Sequence, residues 1–335
     1  MKIILSHAIP FSLAHGGTQT VIEALYHHLP GHGCEVEYER WWDPCQTADL
    51  IHYFGRPIDM VCELAIKKGR RVVITEYLDR TASRSKWVLL GQAAMIRIVQ
   101  RVLPGFVNRM GWTSLMTAHG LVYAVKSEVE TAHFLFGADP LRCHVVPHGL
   151  DRVALDSLAV DATPGGYLIS VGTIDRRKNT LVLARAAKRS GVPVVFVGMP
   201  YADDAYYRSF VAEVDGRFVI YKGRVSESEK VELMRRASGF VLLSEYESGC
   251  VAVHEAAAAR LPMLLARRPW VISSYVSIPG ISVVEPDVLA TTTALRAFNA
   301  KASRLDRMTF AVHSWEDVSG MYRDVYESAF STSCK

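Results

Sequence analysis

The chain has 335 residues, half of them hydrophobic and 21% charged, an ordinary globular composition with room for two domains. A net charge of +4 is too mild to argue for nucleic acid, and no apolar run is long enough to cross a bilayer. The six cysteines (Cys34, Cys45, Cys62, Cys143, Cys250, Cys334) form no Cys-x-x-Cys pair or zinc-spaced cluster and read as reduced thiols of a cytoplasmic protein.

Lys2-Ile3-Ile4-Leu5 opens the chain as a parallel strand, so no signal peptide is expected. A loop with the pair Gly16-Gly17 follows, and Thr18 to Leu29 has helical apolar spacing that stops at Pro30-Gly31. Glycines at a strand–loop–helix junction let backbone approach a phosphate or sugar, although most such pairs only make turns. Neither G-x-G-x-x-G nor a G-x-x-x-x-G-K-[ST] loop occurs. Glu35 to Glu39, Leu50 to Phe54 and Arg71 to Thr75 are further strands in an alternation that implies a doubly wound parallel sheet. After the last comes Glu76-Tyr77-Leu78-Asp79-Arg80, a polar cluster at a strand's C-terminal end that suits substrate contacts, or that is simply solvated.

Residues 80–112 carry Arg80, Arg84, Lys86, Arg97, Arg101 and Arg109 and no acid, interleaved with apolar residues from Trp87 to Val107. Two readings stand: a basic amphipathic lip on an anionic membrane surface, or a helix whose apolar face packs on the sheet beneath solvated arginines. Ser114 to Ser127 reads as strand and turn, with a capping box from Ser127 to Glu130 opening a helix that ends near Gly137. His144 to Val146 is a short strand before a Pro/Gly turn, and Asp156 to Gly166 is the best linker in the chain.

A second alternating series begins with the strand Tyr167–Val171. The basic turn Gly172 to Asn179 precedes a helix, Thr180 to Ser190, closed by Gly191 and capped by Asn179. Three cations (Arg176, Arg177, Lys178) at a helix N-terminus are unfavourable by roughly 0.3–1 kcal/mol each, and a bound anion would offset that conflict. The strands Val192–Gly198, Phe218–Tyr221, Gly239–Leu243, Leu261–Ala266 and Ile281–Val284 follow, with a capping box at Ser226 to Glu229. A helix closes the chain over Leu305 to Phe330.

Within this series, the strand ending at Leu243 turns through Ser244 to Gly249 into an Ala-rich helix that reaches Arg260. The turn leaves Glu247 at a strand-to-helix crevice beside helix N–H groups, where open α/β sheets bind ligands. Glu255, with seven residues between it and Glu247, stands in an otherwise buried run and must be hydrogen-bonded to a ligand, a backbone amide or a basic residue nearby.

These motifs together resemble the retaining GT-B glycosyltransferases, in particular glycosyltransferase family 4. Gly16-Gly17 with the following helix looks like the family's glycine loop. Val145-Val146-Pro147-His148-Gly149-Leu150-Asp151 resembles its V-I-P-N-G-V-D signature, and Val171-Gly172-Thr173-Ile174-Asp175-Arg176-Arg177-Lys178-Asn179 its phosphate loop. Glu247 to Glu255 is similar to its E-x7-E element, and the Trp315 region to its closing helix. Five motifs stand in the family's order over nearly the whole chain.

The resemblance implies two Rossmann-like domains facing across a cleft: an acceptor-side domain at 1–160, a nucleotide-sugar domain at 161–304, and a helix at 305–330 crossing back onto the first. It implies that Lys178 and Arg177 hold the donor diphosphate, Glu247 faces the donor sugar, and Glu255 takes the ribose hydroxyls. Backbone N–H groups of Gly249, Cys250 and Val251, with Gly172 and Thr173, would meet the phosphates. Arg224-Val225 would grip the base, and Gly16 and Gly17 would let the first domain touch the diphosphate. Thr173 stands where many members have arginine, and Glu76, Tyr77, Asp79 and Arg80 stand where many have an acceptor-side histidine. Arg267-Arg268-Pro269-Trp270 replaces a loop often rich in glycine.

The expected activity is metal-independent transfer of a sugar from a UDP or GDP type donor to a saccharide or lipid-linked acceptor, with no cofactor and no nucleic acid. The expected location is cytoplasmic, or peripheral on the inner face of the membrane. A non-catalytic GT-B-like binding subunit is the rival reading, and a sugar-nucleotide epimerase a third.

Overall fold

The structure, a computed structural model, describes residues 1–13, 17–200, 202, 204–302 and 310–331. Gly16 and the start of the expected closing helix, residues 305–309, lie outside these. The described residues form two compact units, Met1–Gly149 with His313–Lys335, and Leu150–Val312.

In the first unit, β1 (Lys2–His7), β2 (Glu35–Tyr38), β3 (Leu50–Phe54), β4 (Arg71–Thr75), β5 (Gly120–Tyr123) and β6 (Cys143–Val145) form one sheet in the order β2-β1-β3-β4-β5-β6. Every pairing is parallel, with Leu5 opposite His52 and Phe54 opposite Thr75. Parallel sheets bury both faces, so successive side chains of one strand enter different cores. Val73 and Val122 thus pack with Trp315, Val318 and Val325 of the helix Trp315–Ser331 on one face. Val72, Ile74, Leu121 and Tyr123 pack with Ala93, Ile96 and Leu135 on the other.

The closing helix begins at Trp315, and the described residues just before it, 310–314, are not helical. Ser314 and Asp317 make a reciprocal cap: the Asp317 carboxylate accepts from the Ser314 N–H (2.9 Å) and hydroxyl (2.7 Å), and the Ser314 hydroxyl accepts from the Asp317 N–H (3.1 Å). The V-P-H-G turn packs directly on its first residue. A Cβ at Gly149 would stand 2.8 Å from the Trp315 backbone.

The capping box expected from Ser127 to Glu130 does not form: the helix Lys126–Phe136 begins two residues before Glu128, with Val125 at its N-cap and no side-chain cap. The buried Glu128 carboxylate accepts from the N–H of Leu78 (2.9 Å) and of Ala124 (3.2 Å). Glu128 therefore ties together the loops that leave β4 and β5.

The second unit repeats the design. β7 (Leu168–Val171), β8 (Val194–Val197), β9 (Val219–Gly223), β10 (Gly239–Leu242), β11 (Met263–Ala266) and β12 (Ile281–Val284) are all parallel in the order β12-β11-β10-β7-β8-β9. Val195, Val197, Phe240 and Leu242 enter one core, Val194, Phe196 and Val241 the other. The proposed linker is partly structured: Arg152–Leu158 is a helix, and Leu158 is buried in the core of this unit. Each unit is thus a doubly wound Rossmann-like sheet, as the sequence pattern requires.

Candidate functional site

In the second sheet the winding reverses between β7 and β10, and open α/β sheets bind ligands beyond the strand ends at such a point. The loops leaving these two strands carry the residues singled out in the sequence. Lys178 Nζ lies 2.5 Å from Glu247 Oε1, and Arg177 Nη1 lies 2.9 Å from the same oxygen. Both Lys178 and Glu247 are buried. Burial alone would lower the Arg177 pKa, but Glu247 and Asp175 outweigh it and hold the guanidinium above its ordinary value.

Asp175 shapes this turn and went unnoticed in the sequence. One carboxylate oxygen accepts from the Lys178 N–H and the other from the Thr173 hydroxyl, each at 2.7 Å. Thr173, expected on the donor, is therefore engaged within its own loop. Gly172 has φ +150°, and a Cβ there would stand 3.2 Å from Lys178 Cε. Asn179 sits at the N-cap position of the helix Thr180–Ser190 but caps nothing with its side chain. Its Nδ2 instead donates to Leu243 O (2.9 Å) and Glu245 Oε1 (2.7 Å), stitching one loop to the other. Of the three cations read as an anion site, Arg176 turns away over the Tyr206 ring at 5.2 Å.

The β10 loop is braced from behind by the Arg-Arg-Pro-Trp segment. Arg268 reaches Glu245 at 2.7 Å and Glu285 at 3.0 Å, and Trp270 Nε1 donates to Ser244 O at 3.1 Å. Gly249 takes φ +62°, and Cys250 then begins the turn into the helix Val251–Ala258. Burial pushes the Cys250 thiol up to about 11, so it stays neutral and is no nucleophile near pH 7. Arg224 and Val225 follow β9 at the same sheet edge, Arg224 exposed and Val225 packed on the core.

Glu255 has a protein partner. Lys230 Nζ lies 2.6 Å from Glu255 Oε1 and 2.7 Å from Glu227 Oε1. Burial raises the Glu255 pKa, and Lys230 pulls against that rise. A basic residue nearby was among the partners the sequence left open, and Lys230 is that residue. Lys230→Met leaves a buried carboxylate unpaired and is expected to lower stability by about 1–3 kcal/mol at pH 8. Lys230→Met with Glu255→Gln should recover most of the loss in thermal melts.

The acceptor-side residues lie in the first unit and do not form one open cluster. Glu76 is buried and paired with Arg56 (3.3 and 3.4 Å), whose guanidinium sits 4.4 Å from the Phe136 ring centroid. Burial raises the Glu76 pKa and Arg56 opposes it. Asp79 accepts from the Arg80 N–H at 2.6 Å, Tyr77 is half-buried and Arg80 is exposed. Gly17 opens the first helix, Gly17–His28, and is exposed.

In the basic segment, the helix Lys86–Val102 buries only Ala93 and Ile96, with Leu89 and Val99 partly covered. Trp87 (83% exposed), Met95, Ile98, Val102 and Phe106 face solvent beside the exposed Arg97 and Arg101. Most of its apolar surface therefore does not pack on the sheet. No helix among the described residues is long and apolar enough to cross a membrane.

Two parallel doubly wound sheets, one with a lysine, an arginine and a glutamate joined at its switch point, are the architecture of the GT-B fold. Residues 162–277 match the family model of glycosyl transferases group 1. AviGT4, a glycosyltransferase involved in avilamycin A biosynthesis, aligns over 100% of this chain and 99% of its own at 17% identity and TM-score 0.64. The sucrose-phosphate synthase of Thermosynechococcus elongatus aligns over 99% and 100% at 15% identity and TM-score 0.60. Anabaena HepE in complex with UDP aligns over 98% and 100% at 12% identity and TM-score 0.62. No curated protein matches the chain. The chain has the fold of these glycosyltransferases, and residues 162–277 of its second unit match the group 1 glycosyl transferase model.

Proposed function

We propose that this protein transfers a sugar, with retention and without a metal, from a nucleoside-diphosphate-sugar of UDP or GDP type to a saccharide or lipid-linked acceptor, in the manner of glycosyltransferase family 4. The observation that carries the reading is the meeting of Lys178, Arg177 and Glu247 at the switch point. As the bond from sugar C1 to the phosphate oxygen breaks, negative charge grows on the leaving diphosphate. Two preorganised cations and a helix N-terminus can neutralise it. The acceptor oxygen then bonds to C1 on the same face, and its proton passes to the leaving phosphate. Glu247 orients both cations and would meet the donor sugar, and Glu255, paired with Lys230, would accept from the ribose hydroxyls. Anabaena HepE has been solved with UDP and with UDP-glucose, and the pneumococcal O-GlcNAc transferase GtfA with UDP and GlcNAc, which favours a uridine donor.

The test is thermal stabilisation by a panel of nucleoside diphosphates and their sugars, followed by donor hydrolysis without acceptor. A ligand that binds the native state raises its melting temperature. Stabilisation with slow hydrolysis supports the transferase. Stabilisation with no turnover under any acceptor favours a binding subunit, and no stabilisation by any donor sinks the reading.

We place the acceptor at an anionic membrane surface, in cell-surface polysaccharide or glycolipid synthesis, because the helix Lys86–Val102 exposes apolar and cationic side chains together. Vesicles containing anionic lipid are expected to bind the protein at low salt and phosphatidylcholine vesicles not to. Each arginine near such a surface contributes about 1 kcal/mol, so Arg97→Ala with Arg101→Ala should weaken binding about 30-fold. Equal binding by the double variant counts against the membrane.

A further inference from the structure

At the C-terminal ends of β1 and β2 the first unit opens a cavity of about 770 Å³, whose lining includes Phe11, Glu23, Tyr38, Glu39, Trp41 and Trp42. That volume suits a small ligand, and strand C-terminal ends are where such sheets bind them. The walls are of three kinds. Tyr38 is fixed in place: its ring stacks on Tyr26 at 4.3 Å and 10°, and Phe11 meets it edge-on at 6.1 Å. Trp41 and Trp42 are 69% and 95% exposed, beside this rigid pair. A buried tryptophan is among the largest apolar contributions a fold can make, so two adjacent ones left in water are stabilisation forgone by the unit itself.

The charges decide what would cover them. Glu39 accepts a hydrogen bond from the Ser6 hydroxyl, and Glu23 accepts from Gln19 Nε2 at 2.7 Å. The nearest cation in sequence, Arg40, is drawn off by Glu37 (2.7 Å) and Asp43 (2.8 Å) and does not line the cavity. Carboxylates without a lining lysine or arginine repel phosphates, uronic acids and anionic lipid. They accept hydrogen bonds well from hydroxyl groups. Indole faces carry the negative side of a quadrupole and attract the weakly positive C–H bonds on one face of a pyranose ring.

From this we infer that the cavity binds an uncharged saccharide, held by Trp41 and Trp42 on its C–H face and by Glu39 and Glu23 at its hydroxyls. In calling this saccharide the acceptor, the inference rests on the transferase reading above; binding itself does not. The basic helix Lys86–Val102 offers the opposite chemistry, cations beside apolar side chains, so the two surfaces would take different ligands.

The test is a glycan array carrying uncharged, acidic and amino saccharides, probed without donor by the full chain and by a Trp41→Ala/Trp42→Ala variant. Both tryptophans are exposed, so the variant should keep the wild-type melting temperature. The wild type should bind uncharged saccharides, and the variant should lose at least tenfold in signal. Binding confined to acidic or amino saccharides, no binding, or equal binding by the variant overturns the inference. Array binding by a chain that never turns over a donor would leave this site standing and sink the transferase reading. Donor turnover with no array binding would do the reverse.

Discussion

Lys178→Ala is expected to lower kcat for sugar transfer by about 10²–10³-fold with the fold intact. Removing one preorganised donor from a site of developing charge has an effect of that order. Lys178 is buried against Gly172 and aimed at the β7–β10 switch point, and its Nζ is held by Glu247. The fold should tolerate the change because Glu247 keeps Arg177 as a partner at 2.9 Å, so no carboxylate is left unpaired. Initial rates at saturating donor, read beside melting temperatures, separate loss of chemistry from loss of fold. Near-normal turnover by Lys178→Ala would remove the basis of the proposed mechanism. Glu247→Gln is the sharper companion. It keeps the shape but takes away the charge that competes with a diphosphate for both cations. Nucleoside diphosphate binding should be at least as tight as in the wild type while transfer collapses. Weaker nucleotide binding by Glu247→Gln would mean that the cations do not grip the diphosphate.

Central strands were legible because parallel strands buried on two faces read as short apolar runs, as in Val194-Val195-Phe196-Val197. The stretch read as strand from Ser114 instead opens as a short helix, Ser114–Thr117, before the strand Gly120–Tyr123. That Lys178, Arg177 and Glu247 would come together was legible for a related reason: they lie in the loops that leave the C-terminal ends of central strands, where local pattern already fixes position. What the sequence hid were contacts between segments far apart in the chain. Nothing local says that Asn179 reaches Leu243 rather than capping its own helix, or that Arg56 takes up Glu76. Lys230 carried a weak signal, three residues after Glu227 on one helix face, but its pairing with Glu255 depends on how two helices pack. The start of the closing helix was available from Ser314 and Asp317 and was passed over because apolar spacing alone sets helix ends loosely.

The first unit is also expected to lose stability steeply in mild acid, and His52 should account for much of the loss. Its imidazole is fully buried between β3, β4 and the helix Trp315–Ser331, with Nδ1 2.8 Å from Tyr326 Oη and Nε2 2.7 Å from Thr75 Oγ1. Burial pushes its pKa down to about 3, and His119, also buried, is held at about 4 by burial and the charges of Arg71 and Arg142. An unfolded histidine takes up a proton near pH 6.5. Between that value and the folded values the unfolded chain binds more protons, so stability is full above about pH 6.5 and falls as the pH drops toward 3. For His52 alone the loss at pH 4 is about 3 kcal/mol. Protonation makes both ring nitrogens donors, so the hydroxyl that donates to the ring must turn to accept and its own proton loses that acceptor, and the Tyr326 bond ties the closing helix to the sheet. Hydrogen exchange along Trp315–Ser331 should therefore accelerate on acidification before exchange in the second unit does. His52→Asn should be less stable than the wild type at pH 7 yet lose less on going to pH 4. Equal acid slopes for the two proteins would show that carboxylates elsewhere, and not this imidazole, set the acid limit.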